Sequence, residues 1–165
     1  MLYIKELTTV KKYLKYKMDL KELYQEIILD HGKHPRNKGI CDKFNRDAKG
    51  HNPLCGDKVH IYLRINKNNN VEDLSFEGEG CAISLASASI LTETIKGKDF
   101  NLAKKIISDF LNMIKEEIKI SINSLSEDQK TTIMSLSGVK QFPMRVKCAT
   151  MAWHTLTSAL ESKND

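Results

Sequence analysis

Apolar residues first recur at helical spacing as Leu20, Leu23, Tyr24, Ile27 and Ile28, which predicts a helix over residues 19–31. Asp19 and Glu22 have capping-box spacing at its start; Gly32 can end it, and Pro35 prevents continuation. Residues 32–52 are polar and read as loop. From Val59 the period changes to two: Val59, Ile61, Leu63 and Ile65 share one side, His60, Tyr62 and Arg64 the other. Asn66–Asn70 reads as a turn, after which Leu74 and Phe76 alternate with Asp73, Ser75 and Glu77. This is the pattern of a β-hairpin with one buried face.

From Cys81 the chain is apolar or small nearly all round, predicting a buried helix punctuated by Gly97. Ala103, Ile106, Ile107, Phe110, Leu111 and Ile114 predict a helix over 101–119. Ser126 and Gln129 predict a cap before a short helix ending near Leu136. Pro143 can open a last helix over 143–161, with Met144, Cys148, Met151, Ala152 and Thr155 on one face. The fold class is α+β: a small antiparallel sheet with helices covering one face. Residues 1–18 read as a flexible N-terminal extension and 19–165 as a single domain.

Composition narrows the functional classes. Hydrophobic content of 41% and charged content of 28% suit a globular chain, and no apolar run approaches a membrane span. The net charge of +5 is concentrated in residues 1–17, where five lysines face Glu6 alone; the rest holds 21 basic against 20 acidic groups. Such a body has no electrostatic footprint for nucleic acid. The first residues lack the apolar core and small-residue cleavage site of a secretory signal, so the expected compartment is the cytoplasm, where disulfides are disfavoured.

The four cysteines then become candidates for metal or sulfur chemistry. Cys55 and Asp57 precede a strand; in extended backbone, positions i and i+2 face the same way. Cys81 stands at a helix N-terminus, where the dipole favours a thiolate. Arg145 and Lys147 precede Cys148, and two cations also favour a thiolate. Three thiolates and one carboxylate make the four-ligand set that zinc prefers. Spacing alone leaves two readings open, one shared site or separate buried cysteines. Cys41 lies outside this set as a free surface or half-buried thiol. His51 is the reserve ligand should Asp57 fail. His31, His34, His60 and His154 read as surface or partner-facing groups, and Trp153 as core.

Several segments, in order, carry a family resemblance. Leu23-Tyr24-Gln25-Glu26-Ile27-Ile28-Leu29-Asp30-His31, followed by His34-Pro35-Arg36-Asn37-Lys38-Gly39, resembles the opening of the IscU/NifU-like family of iron–sulfur assembly proteins. Asn52-Pro53-Leu54-Cys55-Gly56-Asp57, Gly78-Glu79-Gly80-Cys81-Ala82-Ile83-Ser84 and Arg145-Val146-Lys147-Cys148-Ala149-Thr150-Met151-Ala152-Trp153 resemble its three cysteine motifs. In the IscU branch a histidine precedes the third cysteine, near a Leu-Pro-Pro-Val-Lys element. Here Lys147 stands in that place, Phe142-Pro143-Met144-Arg145-Val146-Lys147 replaces the element, and the stretch between Cys81 and Cys148 holds extra helical sequence. All three features resemble the SufU branch.

That resemblance implies an IscU/SufU-like fold with about three strands. It implies zinc on Cys55, Asp57, Cys81 and Cys148, and a sulfurtransferase-type carrier role. A SufS-type cysteine desulfurase, a pyridoxal-phosphate enzyme, would pass persulfide sulfur to Cys55, whose thiol a desulfurase histidine displaces from zinc. Asp57, Cys81 and Cys148 would keep the metal, and Arg145 would contact the site. Downstream SUF scaffold proteins are further implied partners. The alternative is a scaffold on which the same ligands hold iron in a [2Fe–2S] cluster.

Overall fold

The computed structural model describes residues 20–116 and 125–162. The expected cap at Asp19, the N-terminal extension and the end of the 101–119 helix lie outside them. Helix α1 (Leu20–Lys33) is followed by strands β1 (Arg46–Asn52), β2 (Asp57–Ile65) and β3 (Val71–Glu79). Then come α2 (Ala82–Ile95), α3 (Phe100–Glu116), α4 (Glu127–Ser135), a 3-10 segment (Leu136–Gln141) and α5 (Pro143–Glu161).

The sheet is antiparallel in the order β1-β2-β3. Period-two patterning sets its register: Ile61 pairs with Phe76 and Leu63 with Leu74, and all four are fully buried. At the far end of that hairpin, Asn66 Oδ1 accepts from the Asn68 and Asn70 amides. Asn69 takes the left-handed φ of +62° that asparagine tolerates.

The strand β1 corrects the sequence reading, which left 32–52 as loop. Its residues, Arg-Asp-Ala-Lys-Gly-His-Asn, carry almost no β preference. The segment is extended because β2 pairs with its whole length and α5 packs against it. A Cβ at Gly50 would collide with Thr155 Oγ1, so only glycine allows that approach.

Helix α2 is buried on nearly every side. Its small residues admit neighbours on two flanks. Ser89 Oγ bonds His31 Nδ1 of α1 at 2.7 Å, and Ser87 Oγ donates to the Ala149 carbonyl of α5 at 2.5 Å. The Trp153 indole N–H donates to Ser87 Oγ at 2.9 Å, and its ring stacks on Phe110 at 3.8 Å. Trp153 is therefore core, as the pattern predicts. His31 is not a surface group: it is fully buried between α1 and α2.

Other differences are local. Helix α1 continues through Gly32 to Lys33 before Pro35 stops it. Tyr62, expected on the open side of the sheet, is only 5% exposed because Phe44 and His60 pack on its ring. Met144 is 77% exposed although Cys148, Met151, Ala152 and Thr155 of the same helix are buried. The Ser126–Gln129 capping box forms as expected, each bond 3.1 Å long.

Candidate metal centre

Three elements bring the cysteine motifs to one end of the sheet. Asn52 pairs with Asp57, so Pro53-Leu54-Cys55-Gly56 form a tight turn between β1 and β2. The Gly56 amide bonds the Asn52 carbonyl at 2.8 Å, and Gly56 takes φ +75°, which favours glycine. Cys55 is thus exposed at a turn tip, while Asp57 begins a strand and is 2% exposed. The two converge through this turn and not through extended i, i+2 alternation, as the sequence reading supposed.

Across the sheet, β3 ends at Glu79 and Gly80 turns the chain into α2, where Cys81 is the N-cap residue. Gly80 has φ +153°, and a Cβ there would collide with the Asp57 carboxylate. Glycine therefore leaves the space the carboxylate fills. The Cys81 amide donates to Asp57 Oδ1 at 3.2 Å, and Cys81 Sγ lies 3.5 Å from Oδ2. The Ser84 hydroxyl, one turn into α2, also donates to Oδ2.

The third motif arrives on α5. Cys148 is 1% exposed and its Sγ stands 3.7 Å from that of Cys55. Donor atoms of Cys55, Asp57 and Cys148 lie within 4.8 Å of one another, and Cys81 joins them through its contact with Asp57. Arg145, one turn before Cys148 and exposed, lies close enough for that sulfur and the charge of Cys81 to raise its pKa.

The electrostatics favour a bound cation. Burial, then the hydrogen bond with Cys55 and the charge of Cys81, push the Cys148 thiol up to about 12. Arg145 and the charged sulfur do stabilise each other, as the sequence reading expects, but burial and the neighbouring Cys55 and Cys81 outweigh this in the metal-free chain. Burial also pushes the Asp57 carboxyl up, but hydrogen bonds from Ser84, Cys55, Cys148 and the Cys81 amide outweigh it and hold the pKa below the ordinary value. A deprotonated cluster would gather four negative charges around Arg145. A soft-to-borderline dication with four-ligand preference fits this donor set.

Two neighbours had no role in the sequence reading. Ser84 orients the carboxylate; its place three residues after Cys81 was the available signal. Tyr24 is 6% exposed, and its hydroxyl has no hydrogen-bond partner among the described residues. Burial, then the charges of Cys81 and Cys148, raise its pKa, which places it within reach of the site's field.

The other candidates stand apart. His51 is exposed on β1 and is not among the clustered donors. Cys41 is buried at 3% exposure, deeper than expected. It interacts with Asp73 near the opposite end of the sheet, and burial, then that contact, push its thiol up to about 11. No helix among the described residues is long and apolar enough to cross a membrane.

Known proteins resemble this chain in sequence and fold. The chain is 40% identical over 144 residues to a protein of Bacillus subtilis named zinc-dependent sulfurtransferase SufU, covering 87% of this chain and 92% of that one. It is 32% identical over 142 residues to an iron–sulfur cluster assembly scaffold protein IscU of Streptococcus pyogenes, covering 86% and 85%. A crystal structure from Fervidobacterium islandicum, described as a putative SUF-system assembly scaffold protein, superposes with a TM-score of 0.71 at 33% identity, covering 82% and 95%. Residues 23–162 match the family described as NifU-like N terminal domain, and the chain belongs to that family.

Proposed function

We propose that this chain is a zinc-dependent sulfur acceptor in cytoplasmic iron–sulfur cluster assembly, taking persulfide sulfur from a SufS-type cysteine desulfurase. The observation that carries the reading is the division of exposure within the cluster. Cys55 is exposed at a turn tip, whereas Asp57 and Cys148 are buried beneath it. The relative named as a zinc-dependent sulfurtransferase supports the same metal and chemistry.

Cys55, Asp57, Cys81 and Cys148 would hold the metal. Bound zinc supplies a charge that keeps thiols deprotonated at neutral pH without redox chemistry of its own. Asp57, Cys81 and Cys148 sit on or against regular elements and form the fixed side of the site. The Gly56 turn lets Cys55 leave that group and meet a donor. Its thiolate attacks the outer sulfur of the donor persulfide; the donor S–S bond breaks, and the donor cysteine departs as thiolate. Arg145 beside Cys148 offsets the negative charge left among the retained groups.

Zinc-loaded protein should accelerate a SufS-type desulfurase, and Cys55→Ala should abolish the acceleration. Native protein that gives none would overturn the reading. Scaffold-named relatives favour a second reading, a site for assembling a [2Fe–2S] cluster. Anaerobic reconstitution giving a stable chromophore transferable to an apo-ferredoxin would select it.

A further inference from the structure

We propose that the groove between the free edge of β1 and helix α5 seats an extended acidic segment of the sulfur-donating protein, laid along β1 as a fourth strand. This rests on the sulfur-acceptor reading and names the surface through which it operates.

Three observations converge on the groove. First, β1 is an edge strand: it pairs with β2 on one side, and among the described residues no strand pairs with the other. Such an edge offers backbone donors and acceptors to an extended chain. Second, the edge borders a depression of about 450 Å³ whose opposite wall is one face of α5. Gly50 and Thr155, where strand and helix approach each other, both line it.

Third, the lining has one sign of charge. Lys49 of β1 and Lys147 of α5 line the space together with His51 and His154, and among the described residues no acidic one borders it. The body of the chain is otherwise nearly balanced, so this one-signed strip is local. The chain's own N-terminal extension does not complement it, since residues 1–17 are themselves rich in lysine. An acidic occupant does.

The groove also has a direction. It ends at Leu54, which is 70% exposed and immediately precedes Cys55. A segment seated on β1 therefore brings the body of its protein to the exposed thiol. Leu54 gives the occupant an apolar contact beside the charged ones.

The test uses full-length, zinc-loaded protein and a fluorescein-labelled peptide of alternating Glu and Val. The expected result is saturable binding that slows amide exchange in Arg46–Asn52. Lys49→Glu with His154→Glu should weaken it roughly tenfold or more and confer binding of the matching Lys/Val peptide. The Glu/Val peptide should also slow Cys55 persulfidation by the desulfurase, but not by glutathione persulfide. Absent binding, protection elsewhere, indifference to charge reversal, or no competition with the desulfurase would each overturn the proposal. Failure of the acceptor reading shows separately, as a Cys55 that takes sulfur from neither donor.

Discussion

The Sγ atoms of Cys55 and Cys148 stand 3.7 Å apart, yet Cys55 is exposed while Cys148 is 1% exposed. Equal chemistry and unequal access give the two thiols different expected phenotypes. Cys148→Ala should lose metal, read as zinc per chain after gel filtration. Cys55→Ala keeps Asp57, Cys81 and Cys148, so it should retain more zinc while accepting no sulfur.

Ser84 holds Asp57 from α2, so its removal should act on the metal without touching a ligand. Ser84→Ala should weaken zinc affinity about tenfold, the lower end of what loss of a supporting hydrogen bond to a ligand costs. Competition against a chelator measures this, and Ser84→Thr should recover part of the loss.

A methyl group at Gly80 would overlap the Asp57 carboxylate and meet a backbone conformation suited to glycine. Gly80→Ala should therefore destabilise the protein by about 1–3 kcal/mol. It should also lower zinc content, because relief of the overlap moves the carboxylate. Denaturant unfolding of metal-free and zinc-loaded protein separates the two effects.

The pH dependence follows from the two shifted groups. In metal-free protein the Cys148 thiol is raised from 9.0 to about 12, so the folded state holds its proton more tightly than the unfolded chain. That contribution to stability is fully present below 9.0 and is lost as pH rises through about 12. Asp57 is shifted the other way: its contribution is present above 3.8 and is lost as pH falls below it. Metal-free melting temperatures should accordingly decline on both sides. Because the Cys148 proton must leave when metal binds, zinc affinity near neutrality should rise roughly tenfold per pH unit for each proton displaced.

Much of this molecule was legible in its sequence. The β2–β3 hairpin was visible because Ile61 and Leu63 alternate cleanly and meet Leu74 and Phe76 in register. The α4 cap was visible because Ser126 and Gln129 carry their own local signal. Strand β1 was hidden because its extended form comes from β2 and from Thr155 pressing on Gly50, contacts distant in sequence. The same limit applies to the site. The motifs singled out four residues that the structure brings together, but the support from Ser84 depends on how α2 meets Asp57. The Cys148 thiol shows the sharpest contrast: neighbouring cations in sequence suggested a thiolate, and burial with the neighbouring Cys55 and Cys81 outweighs them in the metal-free chain.

Locating transferred sulfur by mass spectrometry, after a single turnover of desulfurase with zinc-loaded protein, tests the central claim most directly. The account predicts one added sulfur on Cys55, with Cys81 and Cys148 unmodified and no transfer to Cys55→Ala. Sulfur on Cys81 or Cys148 with Cys55 free, or none on any cysteine, would contradict it.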